Sequence, residues 1–325
     1  MKNKNVKIND FRNKYFSLSV ETEFKFNSLN YKADGLIFLT TVLIIPLAIS
    51  IIATLFFNLK QTNSWFNYVN IISIAVGLIF LVVRNPTGLF KNGYTWYYFL
   101  ALGPNIIGIF VSLFASFIKV EDSNTFLSFL SIFIQLITEI IILLLVFLYD
   151  RRILKRIKES FKFKKISILI ISVVGLVLLI LISTLFFSTF IEGFLLKANE
   201  SNNQGNLVGI LNNSNVSTII KVFYSILLFF LVILVAPLCE EIAMRDSVFL
   251  NCSNQWLGFF TSSLLFGFIH YGSTGDYEHF LSYTSSGFIL SAIFFFTKGN
   301  LTYTWMVHLG NNIVSFILLF VGVFS

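Results

Sequence analysis

The fold is decided by apolar stretches such as residues 166–190, which read ISILIISVVGLVLLILISTLFFSTF and contain no charged side chain. Crossing the roughly 30 Å hydrocarbon core of a bilayer takes about 20 consecutive apolar residues of helix. Because this stretch exceeds that length, it predicts a transmembrane helix rather than part of a soluble core.

The composition of the whole chain agrees with a membrane protein. Its 325 residues are 56% hydrophobic and only 12% charged, with a mean hydropathy of +0.82, whereas a soluble chain carries about 25% charged residues. Too few polar side chains remain to cover a water-soluble domain, which excludes a soluble enzyme and a disordered protein. Cys239 and Cys252 are the only cysteines, so a disulfide scaffold is excluded and reduced thiols are expected.

Apolar runs long enough to span a membrane recur along the chain. We predict an all-α fold, a polytopic membrane helical bundle of about nine transmembrane helices, at 36–57, 66–83, 96–118, 126–149, 166–190, 218–238, 256–271, 280–297 and 301–323. We expect the sixth helix to be able to continue past Pro237.

The distribution of basic residues predicts the orientation. With the N-terminus inside, 19 Lys and Arg residues fall on the inner side, and the outer side carries Lys60, Lys119 and Lys197. Cytoplasmic loops carry such an excess, so we predict a cytoplasmic N-terminus in a multi-pass protein. The composition, rich in Lys, Asn, Ile and Phe, favours a bacterial cell membrane.

The chain divides into four predicted parts. Residues 1–35 form a polar cytoplasmic segment that lacks the features of a signal peptide, and 36–190 form a five-helix N-terminal membrane region to which we assign no function. Residues 191–217, rich in Asn, Ser and Gly, predict a flexible polar loop. Residues 218–325 form the last part, which contains nearly all ionisable groups within apolar runs.

Ionisable residues inside a membrane helix are expensive and usually face a partner or a cavity. The fourth predicted helix contains one polar residue, Gln135, and one ionisable residue, Glu139, within its apolar run. We interpret Glu139 as a residue that forms a hydrogen bond in helix packing.

The sixth helix carries two adjacent acids, Glu240 and Glu241, followed by Arg245. Glu241 and Arg245 are four residues apart, so they share a helix face and can form an ion pair. Glu240 is turned away by about 100° and has no cation of its own. A carboxyl group in such a setting is suited to proton transfer, although an interfacial ion-pair cluster is the alternative interpretation.

The chain has three histidines, of which two lie in apolar helices. If the sixth helix turns near Ser253, Glu240 and His270 each lie roughly 20–25 Å from that turn, and His308 lies roughly 12 Å above the next turn on the same side. We therefore expect the three to converge in a cavity, with Asn312 on the same face as His308. His279, in an acidic loop, is expected to be solvated.

Three short patterns in this region resemble the signature of the CPBP family, the CAAX protease and bacteriocin-processing or Abi family. The family motifs EExxxR, FxxxH and HxxxN appear here as Glu240–Arg245, Phe266–His270 and His308–Asn312, in that order and on separate apolar helices. The resemblance covers roughly residues 218–325 and implies a catalytic membrane core of an intramembrane endopeptidase.

The resemblance also implies a role for each motif residue. Glu240 is implied as the general base that activates water, with His270 assisting, and His308 and Asn312 as the donors that stabilise the oxyanion. The supporting residues implied by the same motifs are the pair Glu241 and Arg245, and Phe266, which packs the His270 helix.

The cofactor and the substrate stay open. Glu240, His270 and His308 are the ligands if zinc is bound, but we favour a mechanism without a metal cofactor because the sequence lacks HExxH and because Asn312 is a better hydrogen-bond donor than metal ligand. Cys239 is interpreted as a buried thiol rather than a nucleophile.

The expected partners are a membrane-associated peptide or protein and the lipid bilayer, with no nucleic acid. Prenylated tails are plausible substrates only if the source organism prenylates proteins. Two other functions remain alternatives: a bacteriocin-immunity or peptide-binding membrane protein without proteolysis, and a transporter in which Glu240 and His270 relay protons.

Overall fold

The computed structural model describes residues 2–22, 24, 31–57, 65–86, 94–115, 123–199, 201–272 and 276–324, and these contain helices without strands. The helices are α1 (Lys2–Phe16), α2 (31–57), α3 (Trp65–Arg84), α4 (Thr95–Ala115), α5 (Ser123–Tyr149), α6 (Arg151–Phe163), α7 (Lys165–Leu195), α8 (Asn202–Asn212), α9 (Thr218–Phe249), α10 (Gln255–Tyr271), α11 (Phe280–Phe296) and α12 (Leu301–Phe324). Every predicted span coincides with one of these helices, except that residues 116–118 lie outside the described residues, as do Lys60, Lys91 and Lys119.

The helices confirm a polytopic helical membrane bundle. Five helical segments are long and apolar enough to cross a bilayer: Ala33–Ala53, Thr125–Tyr149, Lys165–Leu195, Thr218–Phe249 and Tyr277–Phe296. Tyr68–Arg84 and Thr95–Val111 are shorter apolar helices. Large apolar side chains such as Ile166 and Phe194 are more than two-thirds exposed, as expected for a surface that faces lipid. The chain is an integral membrane protein, and its division into four parts stays a prediction.

The sixth predicted span continues past Pro237, as expected. Pro237 opens the α-helical stretch Ala236–Glu241, where the missing N–H of proline is tolerated. π-helical turns border this stretch at Phe230–Val235 and Ile242–Phe249. The helix ends before Asn254, whose side chain accepts hydrogen bonds from the first backbone N–H groups of α10. As a result, α10 runs back alongside the acidic motif of α9.

Two glycines bring α10 and α11 into close contact. A Cβ atom on Gly267 would collide with Thr284, and one on Gly287 would collide with the backbone of Ser263. Small residues at such positions let helix backbones approach closely in membranes. This packing fixes α11 beside the end of α10 that carries His270.

Polar side chains of α1 and α6 contact the bundle near the connection between α11 and α12. The Arg12 side chain donates to the carbonyl groups of Phe295 (2.8 Å) and Phe296 (2.9 Å). Arg156 Nη2 lies 2.7 Å from Oδ1 of Asp246, the residue that follows Arg245 in the chain. The N-terminal helix α1 therefore contacts the end of α11, and α6 contacts α9 beside the acidic motif.

His279 is buried, so the expectation of a solvated loop residue is wrong. Only 8% of its surface is exposed, and its ring lies 3.3 Å from Glu192 Oε2 and 3.0 Å from the carbonyl oxygen of Asn199. Glu192 is fully buried and also accepts a hydrogen bond from the backbone of Ser282 at 2.8 Å. A buried carboxyl group is stabilised only when it has such hydrogen-bond partners. Because His279 is one of the partners of Glu192, its side chain is buried as well.

Candidate active site

The three sequence motifs meet in the interior of the bundle. α9 supplies Glu240, Glu241 and Arg245, α10 supplies His270, and α12 supplies His308. Except for His270, these residues are at most 9% exposed. The structure therefore assembles the residues that the sequence predicted would converge.

Glu241 is the most fully bonded acid of the cluster. Its Oε2 atom lies 3.1 Å from Arg245 Nε and its Oε1 atom lies 3.3 Å from His308 Nδ1. The expected ion pair between Glu241 and Arg245 is present, and it also fixes the orientation of the His308 ring.

Two serines that the sequence analysis did not single out hold Arg245 in place. Arg245 Nη1 donates to the backbone carbonyl of Ser262 at 3.3 Å, to its hydroxyl oxygen, and to Ser291 Oγ at 3.0 Å. The guanidinium carbon lies 5.3 Å from the centre of the Phe266 ring, a cation–π contact. In the sequence, these two serines differ from their apolar neighbours only by a hydroxyl group, which is too weak a signal to predict a contact with Arg245.

Glu240 faces both histidines without direct hydrogen bonds to them. Its Oε2 atom lies 3.7 Å from His270 Nε2 and 3.8 Å from His308 Nε2. Within the described ranges this oxygen is buried and has no hydrogen-bond partner. Polar atoms separated by more than 3.5 Å are commonly bridged by a small molecule such as water, so the geometry suits a group that bonds to all three.

Aromatic side chains fix the two imidazole rings. The Phe266 ring packs edge-on against His270 (5.2 Å) and His308 (5.4 Å). Tyr283 of α11 stacks on His270 with ring centres 4.9 Å apart and an interplanar angle of 17°. Nothing in the sequence pattern pointed to Tyr283, since α11 carries none of the motifs.

The remaining candidates, Asn312 and Cys239, lie on the helices that carry His308 and Glu240. Asn312 Nδ2 donates to the carbonyl oxygen of Val232 at 2.8 Å, and a side-chain amide has a second N–H that can serve another acceptor. Cys239 is fully buried, in agreement with its interpretation as an unreactive thiol.

Glu139, contributed by α5, is also buried. Gln135 Nε2 donates to its Oε1 atom at 3.0 Å. This hydrogen bond lies within α5 and joins no second helix, so the role of Glu139 in helix packing stays a prediction. α5 packs against the stretch Ala236–Glu241 of α9, a helix contact that the sequence did not reveal.

In the part of the chain that the structure describes, no group of three or more His, Cys, Asp or Glu side chains is arranged to hold a metal ion. If zinc is bound, its predicted ligands stay Glu240, His270 and His308.

Comparison with known proteins places the resemblance on the same segment. The chain is 28% identical over 329 residues to a protein of Mycoplasma capricolum subsp. capricolum described as uncharacterized, covering 98% of this chain and 96% of that protein. No solved structure matches the chain. Residues 222–314, which include all three motifs, match the family described as type II CAAX prenyl endopeptidase Rce1-like, which confirms the resemblance to the CPBP family of intramembrane proteases.

Proposed function

We propose that the protein is an intramembrane endopeptidase that hydrolyses a peptide bond in a membrane-associated protein or peptide. The observation that carries this proposal is the position of Glu240 Oε2, 3.7 Å from His270 Nε2 and 3.8 Å from His308 Nε2 in a buried site. The match of residues 222–314 to an endopeptidase family supports the same reaction.

In the proposed reaction Glu240 acts as the general base. It takes one proton from a water molecule, and the water oxygen forms a bond to the carbonyl carbon of the peptide. The proton then passes to the leaving nitrogen as the C–N bond breaks. His270 orients the water, since its Nε2 atom faces the same carboxylate oxygen.

His308 and Asn312 stabilise the negative charge that develops on the carbonyl oxygen. Donors fixed in advance in a water-excluding site are effective for this task. Glu241 holds Nδ1 of His308 at 3.3 Å, which directs Nε2 toward the reaction centre. Arg245 in turn holds the Glu241 carboxyl group in position.

The proposed substrate enters from the membrane, and the protein lies in a bacterial cell membrane with its N-terminus in the cytoplasm. The bilayer and a membrane-associated peptide are its partners. A prenylated tail is a substrate only in an organism that prenylates proteins.

The direct test is proteolysis of a quenched library of membrane peptides by the purified full-length protein in detergent. We expect cleavage by the wild type and its loss in Glu240→Ala, His270→Ala and His308→Ala, each shown to be folded by size-exclusion chromatography and circular dichroism. Absence of cleavage by folded wild type across diverse peptides would instead favour an immunity or peptide-binding role. Proton-coupled flux in vesicles without any cleaved bond would favour a transporter.

Removal of metal ions is expected to leave the reaction unchanged. We propose catalysis by the glutamate without a metal cofactor, so the cleavage rate after extensive dialysis against a chelator is predicted to equal that of untreated protein. Loss of activity that zinc restores would contradict this prediction and would assign Glu240, His270 and His308 as ligands.

The stacking of Tyr283 on His270 predicts a difference between two substitutions. Tyr283→Leu removes the aromatic ring and is expected to lower kcat by about 2- to 10-fold, the value of one aromatic contact. Tyr283→Phe keeps the ring, loses only the hydroxyl contact with Ser201, and should retain most activity. Equal losses in both variants, measured by the same cleavage assay, would assign the effect to the hydroxyl group instead.

A further inference from the structure

The short helix α6 connects two helices that are long and apolar enough to span a membrane. α5 ends at Tyr149, α6 covers Arg151–Phe163, and α7 begins at Lys165, so a single residue separates α6 from each neighbour. The two apolar segments are Thr125–Tyr149 and Lys165–Leu195. Because its two ends are tied to the ends of these segments, α6 is held at the surface of the membrane.

α6 has a buried face and an exposed basic face. The buried face packs on the bundle and consists of Ile153, Arg156, Ile157 and Ser160. The opposite face carries exposed cations at spacings of four, three and four residues, which we call the basic row: Arg151, Lys155, Lys158 and Lys162. Residues at such spacings are neighbours along one side of a helix, so the basic row points away from the bundle core.

Acidic side chains compensate only part of the charge of this segment. Residues 150–165 contain eight Lys and Arg residues but two acids. Asp150 Oδ1 lies 3.0 Å from Nε of Arg152, which lies beside the basic row. Glu159 interacts with Lys155 and accepts a hydrogen bond from Ser19 Oγ at 2.5 Å. The segment therefore keeps a net positive charge at the membrane surface.

Apolar side chains that suit contact with lipid lie at both ends of α6. Leu148 and Tyr149, before the helix, are 60% and 55% exposed, and Phe163 and Ile166, at its other end, are 64% and 75% exposed. Side chains of this kind at the end of a membrane span are expected to contact acyl chains. The long apolar stem of a lysine lets its ammonium group reach from such a position to the polar head groups.

We propose that the basic row of α6 binds the phosphate groups of anionic phospholipids. Clusters of about four to eight Lys and Arg residues beside a membrane span attract such lipids. The partner is a phospholipid whose head group has a net negative charge, such as phosphatidylglycerol. In phosphatidylcholine, by contrast, the choline cation compensates the phosphate. This inference does not depend on the proposed endopeptidase function, because it concerns a surface outside the matched residues 222–314.

The test compares lipid binding by two double variants of the full-length protein. Lys158→Gln with Lys162→Gln removes two charges from the basic row, whereas Lys197→Gln with Lys221→Gln, the matched control, removes two charges elsewhere. Each protein is purified in detergent, mixed with equal amounts of phosphatidylglycerol and phosphatidylcholine of the same chain length, and analysed by native mass spectrometry.

Wild type and the control variant are expected to bind phosphatidylglycerol in preference to phosphatidylcholine. The basic-row variant should bind phosphatidylglycerol about 5- to 30-fold more weakly, since each Lys near an anionic surface contributes about fivefold in affinity. Both substituted lysines are exposed, so the variant should elute as the wild type does in size-exclusion chromatography.

Two results would overturn the proposal. One is equal binding of the two lipids by wild type, which would leave the basic row with a role in orientation alone. The other is a basic-row variant that binds phosphatidylglycerol as tightly as the control variant does. Bound lipid is measured without any cleaved peptide, so failure of the protease assay and failure of this proposal are separate results.

Discussion

Replacing Glu240 by Gln is expected to lower kcat by about 100- to 10,000-fold, the contribution of a general base. The amide keeps the size of the side chain but cannot accept the proton of water. Since Glu240 Oε2 makes no hydrogen bond within the described residues, its replacement disturbs few contacts. Cleavage rates of a quenched membrane peptide, compared at saturating substrate, measure the effect.

The same substitution should leave the fold intact. Thermal unfolding in detergent is predicted to give a midpoint close to that of the wild type, because Glu241, rather than Glu240, carries the ion pair with Arg245. A Glu240→Gln protein that cleaves at the wild-type rate would remove Glu240 from the catalytic role.

Replacing Arg245 by Met is expected to destabilise the protein by about 3–5 kcal/mol, the consequence of leaving a buried charge unpaired. Arg245 and Glu241 are both fully buried, and the arginine also bonds Ser262 and Ser291. The substitution leaves the Glu241 carboxylate with His308 but without its cation. The unfolding midpoint in detergent, or the yield of folded protein, measures the loss.

A double substitution provides the control for this interpretation. Glu241→Gln combined with Arg245→Met removes both charges of the pair and should recover much of the lost stability, because neutral replacement of a buried ion pair is often tolerated. Activity should stay low, since His308 loses its charged partner. An Arg245→Met protein as stable as wild type would contradict the structural role of the pair.

The sequence predicted the fold and the motif contacts because both depend on local spacing. Uninterrupted apolar runs such as 166–190 mark helices by length alone, and the four-residue separation of Glu241 and Arg245 fixes their ion pair on one helix face. The turn after α9 also followed from the chain itself, because α10 begins immediately beyond Asn254.

Three contacts between helices that are far apart in the chain could not be predicted from local sequence spacing. Tyr283 reaches His270 only because Gly267 and Gly287 let α10 and α11 approach closely. His279 is buried by Glu192, which is 87 residues earlier in the chain. The packing of α5 against the acidic stretch of α9 likewise depends on contacts between distant parts of the chain, which local spacing does not predict.

The most direct test of the account is hydrolysis by the purified protein in water enriched in oxygen-18, followed by mass spectrometry of the products. If Glu240 activates water for direct attack on a peptide bond, each cleavage places one heavy oxygen atom in the new C-terminal carboxyl group, and folded Glu240→Gln protein yields no such product. A folded wild type that yields no labelled product from any membrane peptide, or a Glu240→Gln protein that yields as much as wild type, would contradict the account.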